Sequence, residues 1–220
     1  MTMLSISAAC ISVSRDTGVN LNNLLFAGQT LPESNGGLDG TPTLVHKEAD
    51  VPLITAVFDG EGEGGERSAV YAANAFRSSL EALGSTAAPE ALLEELVRRL
   101  IAADAPGLSS AAVCILDHKL YLADLGTCQA YLLRGRRLYR LSAADGTPSG
   151  SVHAVSGTLC VGDRLLLCTG GLDAALPAEG ILRSISSVKS PADALRQLTV
   201  QARSLGSSDS LTAVLLRVDA

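Results

Sequence analysis

The sequence predicts an α+β fold in which antiparallel sheets carry helices on their outer faces. Short apolar or alternating runs recur at 52–58, 111–116, 119–125, 128–134, 137–142, 163–169 and 211–218, with weaker ones at 5–14 and 23–31. Several of these runs are separated by only two or three turn residues, such as Asp117-His118-Lys119 and Arg134-Gly135-Arg136, which argues hairpins. Helical patterns come in blocks, two before the central run of strands and one before the last strand. That is not the strict strand–helix alternation of a parallel sheet.

The first helix is expected over 66–83, where Ala69, Ala72, Ala73, Phe76, Leu80 and Leu83 fall on one face and Gly84 follows as a stop. The second is expected over 89–103, with Leu92, Leu93, Leu96, Val97, Leu100 and Ile101 as its stripe and Pro89 in its first turn. The third begins at Ser190-Pro191, where Ser190 suits the N-cap and Asp193 the positive helix end. It runs through Ala194, Leu195, Leu198 and Ala202 to Leu205, and Gly206 ends it. Residues 32–50 read as turn-rich surface.

No linker-like segment divides the chain, so 1–220 reads as one domain. Apolar residues make up 47% and charged residues 18%, which supports a sizeable core and argues against disorder. Aromatics are 3% and Trp is absent, so that core must be aliphatic. A net charge of −6 and the lack of a long basic run exclude nucleic acid and anionic membrane as expected partners; the densest basic stretch is 134–137. The five cysteines form no C-x-x-C pair and mostly sit in apolar runs, as small buried hydrophobes in a reducing compartment would. No secretory leader and no membrane-length apolar stretch is read, so a cytoplasmic location is expected.

Two acids carry the chemical interest. Asp59 ends an apolar run, and four glycines and three glutamates follow within the next seven residues. Glycines there let main-chain groups approach a ligand or ion closely, although an acid before Gly at a strand end also makes a plain turn. Asp209 precedes the final strand, where it fits a strand-entry turn or a ligand.

With their surroundings, these segments resemble the metal-dependent protein phosphatases of type 2C, the PPM family. "TAVFDGEGEGG" (55–65) is similar to the family's V-x-D-G-x-G-G strand and loop. "LYLADLGTCQAYLLRGRRLYRLS" (120–142) resembles its meander, and "VGDRLLLCTGGL" (161–172) its G-D-R-L-L-L-C-S-D-G-L segment. "GSSDSLTAVLLRV" (206–218) resembles the closing S-x-D-N-x-T-x-V-x-V, and "DTGVNLNNLLFAG" (16–28) sits where G-x-x-R-x-x-N-E-D belongs.

The resemblance implies a four-layer α/β/β/α sandwich and a site for two Mg²⁺ or Mn²⁺ ions, where a metal-bridging water attacks a phosphoserine or phosphothreonine. By position, Asp59 matches the bridging Asp, Gly60 the Gly whose carbonyl ligates, and Asp209 the last metal Asp. The other carboxylate positions fall on Asn22, Asn23, Thr127 and Gly170, and an Arg position on Gln129. The phosphate-binding Arg position falls on Gly18, with Arg15 only nearby. Two dications carry four positive charges against two matching carboxylates, so at most one ion is expected, weakly held. Glu61, Glu63, Glu66 or Asp173 would be substitute ligands.

Three readings of function follow. The first is a pseudophosphatase, a phosphatase-like scaffold that binds a regulatory protein or phosphoprotein without turnover. The second is a weak or altered Mg/Mn-dependent Ser/Thr phosphatase using Asp59, Asp209 and substitute acids. The third is a structural domain with no ligand in the cleft. The family's flap is hard to place between 142 and 160, where the chain reads as shortened.

Overall fold

Twelve strands and five helices are set out in a computed structural model that describes residues 5–47, 51–81, 91–103, 107–147 and 151–220. One six-stranded sheet contains β1 (Ser5–Val13), β4 (Thr43–His46), β8 (Gln129–Arg134), β9 (Arg137–Arg140), β11 (Arg164–Cys168) and β12 (Leu211–Asp219), in the order β4-β1-β12-β11-β8-β9. The other contains β2 (Asn22–Phe26), β3 (Gln29–Thr30), β5 (Leu53–Gly60), β6 (Leu108–Leu116), β7 (Lys119–Leu125) and β10 (His153–Thr158), in the order β10-β7-β6-β5-β2-β3. Every pairing is antiparallel. Helices α1 (Gly65–Glu81) and α2 (Ala91–Ala103) cover the second sheet, and α3 (Gly170–Ala175), α4 (Ala178–Ser187) and α5 (Pro191–Ser204) the first. This is the α/β/β/α sandwich.

Alternation along the strands builds the layers. In β12, Val214, Leu216 and Val218 face the gap between the sheets, while Leu211, Ala213 and Leu215 face α3–α5. In β11, Leu165 and Leu167 turn inward and Leu166 and Cys168 outward. In β5, Leu53 and Val57 enter the inter-sheet core, whereas Ala56 and Phe58 pack under α1 and α2. The same period carries Asp59 to the inter-sheet side, at the end of the gap.

The run at 23–31 is a hairpin rather than one strand. Ala27 and Gly28 take φ of 50° and 74°, the left-handed pair that a two-residue turn between β2 and β3 requires. Ser190 caps α5 by accepting from the Asp193 amide at 3.3 Å, with Pro191 at the first position. Four cysteines are buried and Cys160 is exposed; burial pushes the Cys10 and Cys114 thiols up to about 12.

Several expectations need correction. Ile101 lies outside the buried stripe of α2, 51% exposed, while Leu100 beside it is 1% exposed. A helix turns about 100° per residue, so the two cannot share one narrow face. Leu205 sits just past α5 and is exposed. The segment 32–50 is not wholly surface, since Asn35 is buried and Thr43–His46 pairs with β1. Strand β10 and helices α3 and α4 arise where no element was expected. Pro89, Leu83 and Gly84 lie outside the described residues.

Candidate metal centre

The cleft opens where the two sheets' inward faces meet the loops. Asp59 is the penultimate residue of β5 and is 9% exposed. Its neighbours in register are Asn22 on β2 and Ser109 on β6. From the opposite sheet come Gly170 and Gly171, at the start of α3, and Asp209, before β12. Asp59, Gly170, Gly171 and Asp209, together with Gly60, Glu61 and Thr127, line a cleft of about 460 Å³.

The glycines after Asp59 have identifiable reasons. A Cβ at Gly60 would lie 1.9 Å from the Gly65 carbonyl oxygen, so the loop folds back onto its own main chain there. Gly62 and Gly64 take φ of 71° and 83°, which a side chain resists. The main chain that comes close is therefore the loop's own, and the Glu61 amide is fixed by donating to the Gly107 carbonyl at 2.8 Å.

The facing groups are mostly neutral. The Gly170 amide donates to Asp59 Oδ2 at 2.9 Å, and Gly170 itself adds no side-chain oxygen to the cleft. Asn22 Nδ2 donates to Thr169 Oγ1 at 3.0 Å, and Asn22 Oδ1 is buried without a partner. Asn23 points the other way: its amide bridges the Leu31 backbone, donating to the carbonyl and accepting from the N–H, each at 2.9 Å. Thr127 Oγ1 lies 3.1 Å from Ser109 Oγ, which also accepts from the Thr127 amide at 3.0 Å.

Burial pushes the Asp59 carboxyl up to about 7; the charges of Asp209 and Glu61 add to the rise and the Gly170 amide opposes it. Asp209 is exposed and accepts from the Ser210 amide at 2.7 Å. Among the substitute acids, Glu61 lines the cleft, Glu63 and Glu66 do not, and Asp173 is engaged elsewhere. Tyr131 donates its hydroxyl proton to Asp173 Oδ1, and Arg140 Nη2 lies 3.6 Å from Asp173 Oδ2. Arg140 also donates to Gln129 Oε1 at 2.7 Å, and Gln129 Nε2 donates to the Thr127 carbonyl at 2.9 Å. That network fixes α3 against β8 and β9. Ser109, Thr169 and Tyr131 carry no sequence signal of their role, because only strand register brings them here.

A metal pair can be tested against these donors. Asp59 and Asp209 supply two negative charges and Glu61 a third on an exposed loop, against the four positive charges of two dications. Gly170 has no side chain to supply an oxygen, and Asn22 offers only a neutral one. Among the described residues no three His, Cys, Asp or Glu converge as a metal-holding group. The residues present do not fit a pair of dications.

No family model and no curated protein matches the chain. Solved structures do match. The catalytic domain of the serine/threonine phosphatase PstP, in complex with two manganese ions, is 20% identical, covering 99% of this chain and 100% of its own, with a TM-score of 0.70. The serine/threonine phosphatase of S. agalactiae is 12% identical over 97% of this chain and 100% of its own, with a TM-score of 0.74. PppA, a regulatory component of the T6SS in Pseudomonas aeruginosa, is 16% identical over 97% and 99%, with a TM-score of 0.72. The chain has the fold of the bacterial type 2C Ser/Thr phosphatases.

Proposed function

We propose that this type 2C phosphatase-like chain is a pseudophosphatase, a regulatory module that engages a protein partner without turning over phosphate. The missing side chain at Gly170, which lines the cleft beside Asp59, carries the reading. Where the resemblance calls for a second carboxylate, Gly170 has no side chain, and its main-chain N–H only partly offsets the burial of Asp59. The partner is a regulatory protein or phosphoprotein in the cytoplasm. A phosphoryl group would contact such a surface away from the cleft, because the cleft lining holds three carboxylates and no Lys or Arg. Among the described residues no helix is long and apolar enough to cross a membrane.

A second reading, a weak phosphatase working with one Mg²⁺ or Mn²⁺, draws support from Glu61 and Asp209. Both lie near enough to Asp59 to raise its pKa. Calorimetry with Mn²⁺, and phosphopeptide hydrolysis in millimolar Mn²⁺, separate the two readings, with Asp59→Asn as control. The pseudophosphatase reading predicts neither heat of binding nor turnover. Hydrolysis that disappears in Asp59→Asn would overturn it. Recovery of a stable partner by pull-down distinguishes a binding module from a purely structural domain.

A further inference from the structure

Four of the chain's 17 Lys and Arg residues fall on the β8–β9 hairpin: Arg134, Arg136, Arg137 and Arg140. The rest of the chain is acidic on balance. Two of the four are committed. Arg134 donates to Asp163, and Arg140 donates to Gln129 Oε1 and lies 3.6 Å from Asp173. Arg136 and Arg137 are exposed and make no ion pair among the described residues. Register also sets Arg137 directly opposite Arg134. Like charges so placed repel, and Asp163 compensates only Arg134.

The same hairpin closes its sheet, with β9 as the last strand. The Leu141 amide donates to the Ala130 carbonyl at 2.8 Å, so by antiparallel alternation the main-chain groups of Arg137 and Tyr139 also face β8. Those of Leu138 and Arg140 point away from it, at the open edge, where a further strand can pair. The other three edge strands, β3, β4 and β10, contain no Lys or Arg. A second copy of this chain would set one arginine edge against another, which opposes self-pairing there.

We propose that the β9 edge takes an extended acidic segment of a protein partner, its main chain pairing with Leu138 and Arg140 and its carboxylates meeting Arg136 and Arg137. Arg137 and Tyr139 share one face of the strand, while Leu138 is half-buried on the other against the cluster that holds Ile181 and Ile185 of α4. The matching segment alternates an acid with an uncharged β-branched residue. The proposal rests on reading the chain as a partner-binding module. It stands apart from the Asp59 cleft: hydrolysis in Mn²⁺ would overturn the pseudophosphatase reading and leave this edge intact.

The probe is a fluorescein-labelled octapeptide alternating threonine and glutamate. It is compared with its threonine–glutamine counterpart and with its fully N-methylated form, which keeps the charge but donates no main-chain hydrogen bond. Fluorescence anisotropy and amide hydrogen exchange are read on the full chain. The acidic peptide binds at least about tenfold more tightly than either comparison peptide and slows exchange of the Leu138 and Arg140 amides. In the double variant Arg136→Gln with Arg137→Gln, verified as folded by circular dichroism, its affinity falls to that of the glutamine peptide. In Arg67→Gln, on α1 against the other sheet, its affinity is unchanged. Failure of the acidic peptide to bind overturns the proposal. Equal affinity for the glutamine peptide overturns the role of the arginines, and equal affinity for the N-methylated one overturns strand pairing. A preference for the acidic peptide that survives the double variant sinks the proposal as well.

Discussion

At the residue scale, Asp59 makes a measurable statement about pH. Its folded-state value of about 7 against an ordinary 3.8 means that, between those values, the folded chain holds a proton the unfolded chain has lost. Stability therefore falls as pH rises from about 4 to 7 and stays low above. In chelator, Asp59→Asn stabilises the fold at pH 8 by up to about 4 kcal/mol and changes it little at pH 4, read by urea denaturation at both values. The Gly170 amide keeps an acceptor in that variant, so the loop is preserved. Gly171 sets a second test. A Cβ there would meet the Ser210 carbonyl oxygen at 2.6 Å, so Gly171→Ala destabilises by about 1–3 kcal/mol, whereas Gly157→Ala, with nothing within 4 Å, is near neutral in the same assay. Asp59 was legible in the sequence because an apolar run points at it. The difference between Asn22, which faces the gap, and Asn23, which serves the backbone of Leu31, was not. That depends on which residue of β2 pairs with Asp59 of β5, a matter of register across 37 residues of chain.

At the scale of elements, the β6–β7 and β8–β9 hairpins and the three long helices were legible from period and punctuation. The others were hidden for separate reasons. Helix α3 opens on Gly170-Gly171, which reads as loop, yet Leu172 is fully buried beneath it. Helix α4 has its own apolar face, Ile181 and Ile185, but Gly180 and a length of ten residues weaken the pattern. Strand β10 is an edge with an exposed second half, so it has no buried alternation, and pairing with β7 defines it. The β8–β9 hairpin is tied to the loop before β11 by Arg134, which donates to Asp163 at 3.0 and 2.6 Å. Asp163 is buried and also accepts from the Cys160 amide at 2.8 Å. Arg134→Ala leaves that carboxylate short of partners. With the guanidinium side 43% exposed, water replaces part of the loss, and about 1–2 kcal/mol is expected in urea melts.

For the whole molecule, the low aromatic content concentrates packing on a few large side chains. Phe58 and Phe76 meet edge to face, their centroids 5.9 Å apart and rings inclined 65°, and neither is exposed. They join β5 to α1 beneath the layer that ends in Asp59. Phe76→Ala costs about 3–5 kcal/mol and lowers the thermal midpoint, while Phe76→Leu retains most of the stability. Fold-level likeness follows from such layers, which tolerate exchange of one apolar residue for another.

The pairing of β1 with β12 has a kinetic consequence. Nine residue pairs join them, from Ser5 opposite Asp219 to Val13 opposite Leu211, and β12 lies between β1 and β11 in the middle of its sheet. Its loops must close over most of the chain before those bonds form, which slows folding. During synthesis, the nascent polypeptide leaves the β1 and β11 edges open until β12 emerges from the ribosome. Those edges would then be the natural place for a chaperone, or for a neighbouring copy, to bind first.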